Sequence, residues 1–121
     1  MTHFSKEYDL EERTAKFGET IILFCKSLTQ TPLSLPLITQ LLRAATSIGA
    51  NYMEANGASS KKDFANKTFI CKKEAQESKH WLRMLAVMFP DKKEMIRSLW
   101  KEAQELTLIF QKITSSVKKS T

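Results

Sequence analysis

Apolar residues recur along this chain at helical spacing. Leu10, Thr14, Phe17, Ile21, Phe24 and Leu28 alternate steps of four and three, the seam of a bundle helix. Asp9 followed by Glu12 is a start signal, so the pattern predicts a first helix over Asp9–Leu28. Thr29 to Pro36 reads as a connection, punctuated by Pro32 and Pro36. A second helix is predicted from Ser34–Pro36 to Asn56–Gly57, with Pro in its first turn and Gly just past its end. Its apolar side is Leu37, Leu41, Ala44, Ile48 and Tyr52, widened by Ile38, Leu42 and Met53.

A third helix is predicted to open at Ser59 or Ser60, capped with Asp63, and to end at Phe89, where Pro90 disfavours helix in the preceding residue. Phe64, Cys71, Ala75, Ser78, Leu82 and Leu85 form its main seam. A second apolar line, Ile70, Trp81, Met84 and Met88, lies about 100° further round. The fourth helix opens with the pair Asp91 and Glu94 and keeps a heptad seam through Ile96, Leu99, Ala103, Leu106, Phe110, Ile113 and Val117. Trp100 and Ile109 fall outside that seam, and the closing KKST is expected to fray. Short connections make sequential helices antiparallel neighbours. The expected fold is therefore all-α, an antiparallel up-down four-helix bundle forming a single domain over residues 1–121. The second apolar line exceeds what one seam needs, which points to self-association.

Composition agrees. With 42% hydrophobic residues, three Gly and three Pro, the chain is neither disordered nor loop-rich, and 121 residues suffice for one modest core. The N-terminal stretch turns acidic without an apolar centre, so it is not read as a signal peptide, and no apolar run is long enough to span a membrane. Cys25 and Cys71 lie far apart in apolar contexts with no metal or redox spacing. Reduced, buried cysteines in a cytoplasmic protein are expected.

Charge adds something the apolar pattern does not. The formal net charge is +6, yet residues 1–30 carry four Lys/Arg against five Asp/Glu and residues 31–60 one against one. Residues 61–90 carry seven against three and residues 91–121 seven against four, so the excess lies wholly in the second half. Such a balance permits an anionic partner.

Catalytic chemistry has one candidate, Glu77-Ser-Lys-His80. Di-iron bundles use two E-x-x-H motifs that point inward. This chain has only two histidines, and the other, His3, precedes the first helix. His80 also falls about 180° from the main seam of its helix. No Gly-rich phosphate loop is present. The expectation is a non-enzyme with no catalytic residues, metal, cofactor or small-molecule substrate.

Two polar stripes remain. Arg43, Ser47, Asn51 and Glu54 share one side of the second helix, accompanied by Gln40. Long charges are missing between Arg43 and Glu54, so this stripe is expected to face another helix, with Glu74 or Glu77 answering Arg43. The other stripe is basic. Lys61, Lys72, Lys79 and Arg83, with Gln76, line one side of the third helix over roughly 33 Å. Read along its own helix it has no aromatic interleaving, so it is expected to meet phosphates rather than bases.

The chain also resembles the small bundle proteins of the bacterial 23S rRNA-intervening-sequence family, often encoded within intervening sequences of large-subunit ribosomal RNA genes. The matching pieces are YDLEERTAKFG at Tyr8–Gly18, QLLRAATSIGANYMEA at Gln40–Ala55, SKKDF at Ser60–Phe64 and ICKKEAQESKHWLRML at Ile70–Leu85. The pattern R-x-x-x-S-I-x-x-N-x-x-E is the most distinctive, here Arg43, Ser47, Ile48, Asn51 and Glu54. The family's glutamate in the third helix corresponds to Glu77, while Glu74-Ala75 stands where many members carry Ser-Ala. The resemblance implies a homopentameric ring. It also implies kinship with the basic, pentameric accessory protein of diversity-generating retroelements, which associates with nucleic acid and a reverse transcriptase. The combined expectation is a homo-oligomer that binds RNA or DNA non-specifically through basic helix faces. A protein-interaction scaffold with no nucleic-acid role is the alternative.

Overall fold

The structure, a computed structural model, describes residues 9–120. It is all-α: α1 spans Leu10–Lys26, α2 Leu35–Asn56, α3 Lys61–Met88 and α4 Lys93–Ser120, with a 3₁₀ turn at Pro90–Lys92 ahead of α4. Among the described residues there is no strand. His3 and Thr121, the last residue of the KKST tail, lie outside them.

The helix starts follow the local chemistry. Asp9 accepts a hydrogen bond from the Glu12 amide at 3.2 Å, and Ser60 accepts one from the Asp63 amide at 3.0 Å. α2 begins differently. Ser34 turns its hydroxyl back into the connection, donating to the Thr29 carbonyl and accepting from the Thr31 amide, and Pro36 occupies the first turn. α3 ends one residue before Phe89, whose φ of −127° and ψ of 72° fit its place before proline.

Several local readings differ from the sequence: α1 ends at Lys26 with Ser27 as its cap, leaving Leu28 beyond it, and α4 continues through Lys118–Ser120 of the tail expected to fray. Asp91 sits inside the 3₁₀ turn rather than ahead of the helix, because Pro90 starts the turn and α4 begins only at Lys93. Gly57 caps α2 with φ −97°, so the left-handed freedom of glycine is unused there. Met53 is 62% exposed, since the buried face of α2 runs through Ile38, Leu41, Ala44, Ala45, Ile48 and Ala55 instead.

The predicted seams meet in one core. Leu10, Phe17, Ile21 and Phe24 of α1 pack with Leu41 and Ile48 of α2, Cys71, Leu82 and Leu85 of α3, and Leu99, Leu106 and Phe110 of α4. Across α2 and α3, Arg43 meets Glu77 and Glu54 meets Lys67. Across α3 and α4, Lys79 meets Gln104 and Thr68 meets Thr114. In each pair of helices, residue numbers rise along one as they fall along the other. α1 approaches α2 closely at Gly49, where a Cβ would lie 3.3 Å from Thr14 Oγ1. The one buried hydroxyl pair between helices, Thr68 with Thr114 at 2.8 Å, satisfies two polar groups in the α3–α4 contact.

Candidate nucleic-acid interface

The polar stripe of α2 lies along its edge with α3. Arg43 Nη2 donates to Glu77 Oε1 at 2.6 Å, Nη1 reaches Glu74 Oε1 at 3.5 Å, and Nε donates to Gln40 Oε1 at 3.4 Å. At the other end Lys67 Nζ donates to Glu54 Oε1 at 2.7 Å. That bond raises the Lys67 pKa above its ordinary value. Between the two pairs, Ser47 donates to the Arg43 carbonyl and Asn51 to the Ser47 carbonyl, so both are satisfied within their own helix. The edge is half wet: the Arg43 and Glu77 side chains are 49% and 44% exposed. Of the second apolar line on the same flank of α3, Trp81 packs against the core, while Ile70, Met84 and Met88 are half-buried.

Sequence reasoning missed the opposite edge. Arg13 of α1 donates to Glu102 of α4 through Nε at 2.7 Å and Nη2 at 2.9 Å, and Nη2 also reaches Glu105 at 2.6 Å. Hydrogen bonding to Glu102 is the main reason the Arg13 pKa rises above its ordinary value. The signal was present as Glu102 and Glu105, three apart on one flank of the heptad seam of α4, with Arg13 flanking Thr14 on α1.

These two edges draw four carboxylates away from the outer α3–α4 face. Glu74 and Glu77 of α3 turn to α2, and Glu102 and Glu105 of α4 turn to α1. The outer face of α3 and α4 keeps the cations. Among the described residues, Lys61, Lys72, Lys79 and Arg83 are in no salt bridge. Lys61 is exposed at the first residue of α3, and Arg83 is exposed in the last part of the same helix, which ends at Met88.

Lys72 and Lys79 show what the stripe looks like in three dimensions. Lys72 Nζ lies 5.1 Å from the centroid of the Phe69 ring, and Lys118 Nζ of α4 lies 5.7 Å from the same ring. Lys79 Nζ lies 5.2 Å from the Trp100 ring and donates to Gln104 Oε1. Phe69 is 40% exposed and Trp100 38% exposed. The basic face is therefore interleaved with aromatic rings, contrary to its one-helix reading. Phe69 stands one step outside the lysine stripe, and Trp100 arrives from the neighbouring helix.

The remaining candidates are plainly placed. His80 is exposed and packs edge-on against Trp81 with ring centroids 4.8 Å apart. Among the described residues, no group of three or more His, Cys, Asp or Glu could hold a metal ion. Cys25 and Cys71 are free and buried, and desolvation pushes their thiols up to about 11 and about 12. No helix of the described residues is long and apolar enough to cross a membrane.

What the fold and its edges define is an all-α helical protein with two ion-paired edges and one cationic, aromatic face. The chain belongs to the 23S rRNA-intervening sequence protein family, which it matches over residues 6–112. Among solved structures it is similar to a protein of unknown function from the S23 ribosomal protein family of Bacteroides thetaiotaomicron VPI-5482. The two are 32% identical with a TM-score of 0.79, over 86% of this chain and 96% of that one. A search of curated proteins gives no match.

Proposed function

We propose that this chain is a non-catalytic, antiparallel up-down bundle of one domain that binds RNA or DNA through its α3/α4 face. The observation that carries this reading is the sorting of charge: Glu74 and Glu77 of α3 and Glu102 and Glu105 of α4 are tied to other edges, and Lys72, Lys79 and Arg83 are left without acidic partners on one side. A surface so arranged attracts polyanions, and each phosphate neutralised contributes about 0.7–0.9 to the slope of log affinity against log salt. The half-buried Ile70, Met84 and Met88 support assembly with copies of itself, for which the family resemblance implies a homopentameric ring. A ring repeats the basic face, so weak single contacts add by avidity. The family's bacterial setting fits a cytoplasmic site of action.

The test is a fluorescence-anisotropy titration of RNA and DNA at two salt concentrations, with wild type and with Lys72→Glu/Lys79→Glu/Arg83→Glu. Binding at low salt that weakens steeply with added salt, and is lost in the variant, is the expected result. No binding at low salt, or equal binding by the variant, removes this face from the functional account.

A further inference from the structure

We infer that the α3/α4 face takes single-stranded nucleic acid, with Phe69 and Trp100 as two stacking platforms for unpaired bases. The inference rests on the nucleic-acid reading above and specifies its ligand. Both rings stand part-exposed on the cationic face, and each already carries an ammonium above it, Lys72 and Lys118 over Phe69 and Lys79 over Trp100. A ring and a lysine side by side form the unit that a nucleotide needs. The π-face accepts the base, and the ammonium moves the short distance to the adjoining phosphate.

The unit occurs twice along one face. The register set by Lys79 with Gln104 and Thr68 with Thr114 puts Trp100 level with Leu82–Arg83, where the long Lys79 side chain reaches it, so the platforms are separated by about 20 Å at 1.5 Å per residue. The amide of Gln104, held by Lys79, lies beside the Trp100 platform and offers a polar edge. A duplex cannot use this arrangement, because its bases stack on each other and offer no π-face to the rings. An unpaired strand uses both parts, phosphate on lysine and base on ring. Because every base has a π-face, the platforms tolerate any sequence.

The experiment compares four ligands of equal length at one salt concentration: oligo(U), oligo(dT), a mixed-sequence duplex, and an abasic deoxyribose strand with the same phosphates and no bases. Wild type is expected to bind both base-bearing single strands tighter than the duplex and the abasic strand. Phe69→Leu and Trp100→Leu keep every lysine. Each is expected to weaken single-strand binding about 5- to 150-fold while leaving abasic-strand binding and the salt slope unchanged. In a Trp81→Phe background the fluorescence of Trp100 reports stacking directly, and oligo(dT) is expected to quench it where the abasic strand does not. Circular dichroism confirms that each variant is folded. Abasic and base-bearing strands binding alike, or ring substitutions without effect, overturn the stacking inference and leave the phosphate-binding reading standing. Failure of all four ligands to bind overturns both.

Discussion

Arg13 and Glu102 meet fork to fork across the contact between the first and last helices, Nε on Oε2 and Nη2 on Oε1, although 89 residues separate them in the chain. Paired donors of a planar guanidinium match both oxygens of one carboxylate, and the Arg13 side chain is 27% exposed. Arg13→Ala should lower stability by about 1.5–3 kcal/mol, the range for hydrogen bonds to charged groups. Arg13→Lys should recover only part of it, because a lysine cannot reproduce the fork. Urea midpoints of the three proteins decide the matter, and an Arg13→Ala midpoint equal to wild type would show the fork to be idle.

Arg43 makes the milder case. Its partner Glu77 is nearly as exposed as itself, and only Glu74 is well covered, at the long distance of 3.5 Å. From the sequence, the pair stood between a buried contact worth about 3–5 kcal/mol and an exposed one worth well under 1. The observed exposure places Arg43→Ala at about 0.5–1 kcal/mol. Thermal melting in dilute protein measures it, and a loss of several kcal/mol would mean that something beyond this one chain covers the edge.

The two thiols give a pH dependence with a definite sign. Burial raises Cys71 from 9.0 to about 12 and Cys25 from 9.0 to about 11. Above the unfolded value the unfolded chain loses protons that the native chain keeps, so the thiols' contribution is whole below about pH 9 and declines through the folded values. Wild type should therefore lose stability more steeply between pH 9 and 12 than Cys71→Ala does. Denaturant midpoints across that range provide the comparison, and parallel curves would contradict it. Thiol reagents should label neither cysteine in the native state at neutral pH.

Assembly is the fourth expectation. Ile70 and Met84 are half-buried on the flank of α3 beside the Arg43 edge. Native mass spectrometry should give a multimer, with a homopentamer as the leading species, and Met84→Lys should disperse it while its helical spectrum is kept. A clean wild-type monomer at micromolar concentration defeats this expectation.

Much of the fold was legible because the seams are regular. The seam residues Leu10 to Phe24 on the first helix, Leu28 just beyond it, and Ile96 to Phe110 on the last are buried nearly residue for residue. Asp9 and Ser60 cap as their spacing indicated, since an N-cap depends only on four consecutive residues. Met53 and Asp91 were misread for opposite reasons. Met53 lies beyond the angle that the neighbouring helices cover, and Asp91 falls into a turn that Pro90 begins before the helix starts. The site was less legible than the fold. One-helix spacing found Lys72 and Lys79 but could not show Trp100 arriving beneath Lys79 from another helix. Arg13 escaped notice because its partners are distant in sequence and only packing brings them near.

The fork between Arg13 and Glu102 also bears on how the chain reaches this state. The other interhelical pairs described join neighbours in the sequence, α1 with α2, α2 with α3 and α3 with α4, across short connections. Such a molecule has low contact order, and helical chains of that kind fold in about microseconds to milliseconds. The α1–α4 contact is the exception, with a long loop to close before it forms. α1 is also the shortest helix, at 17 residues against 28 for α3 and α4. Docking of α1 on α4 should thus be the late event, and native-state hydrogen exchange should find the amide protons of α1 exchanging first.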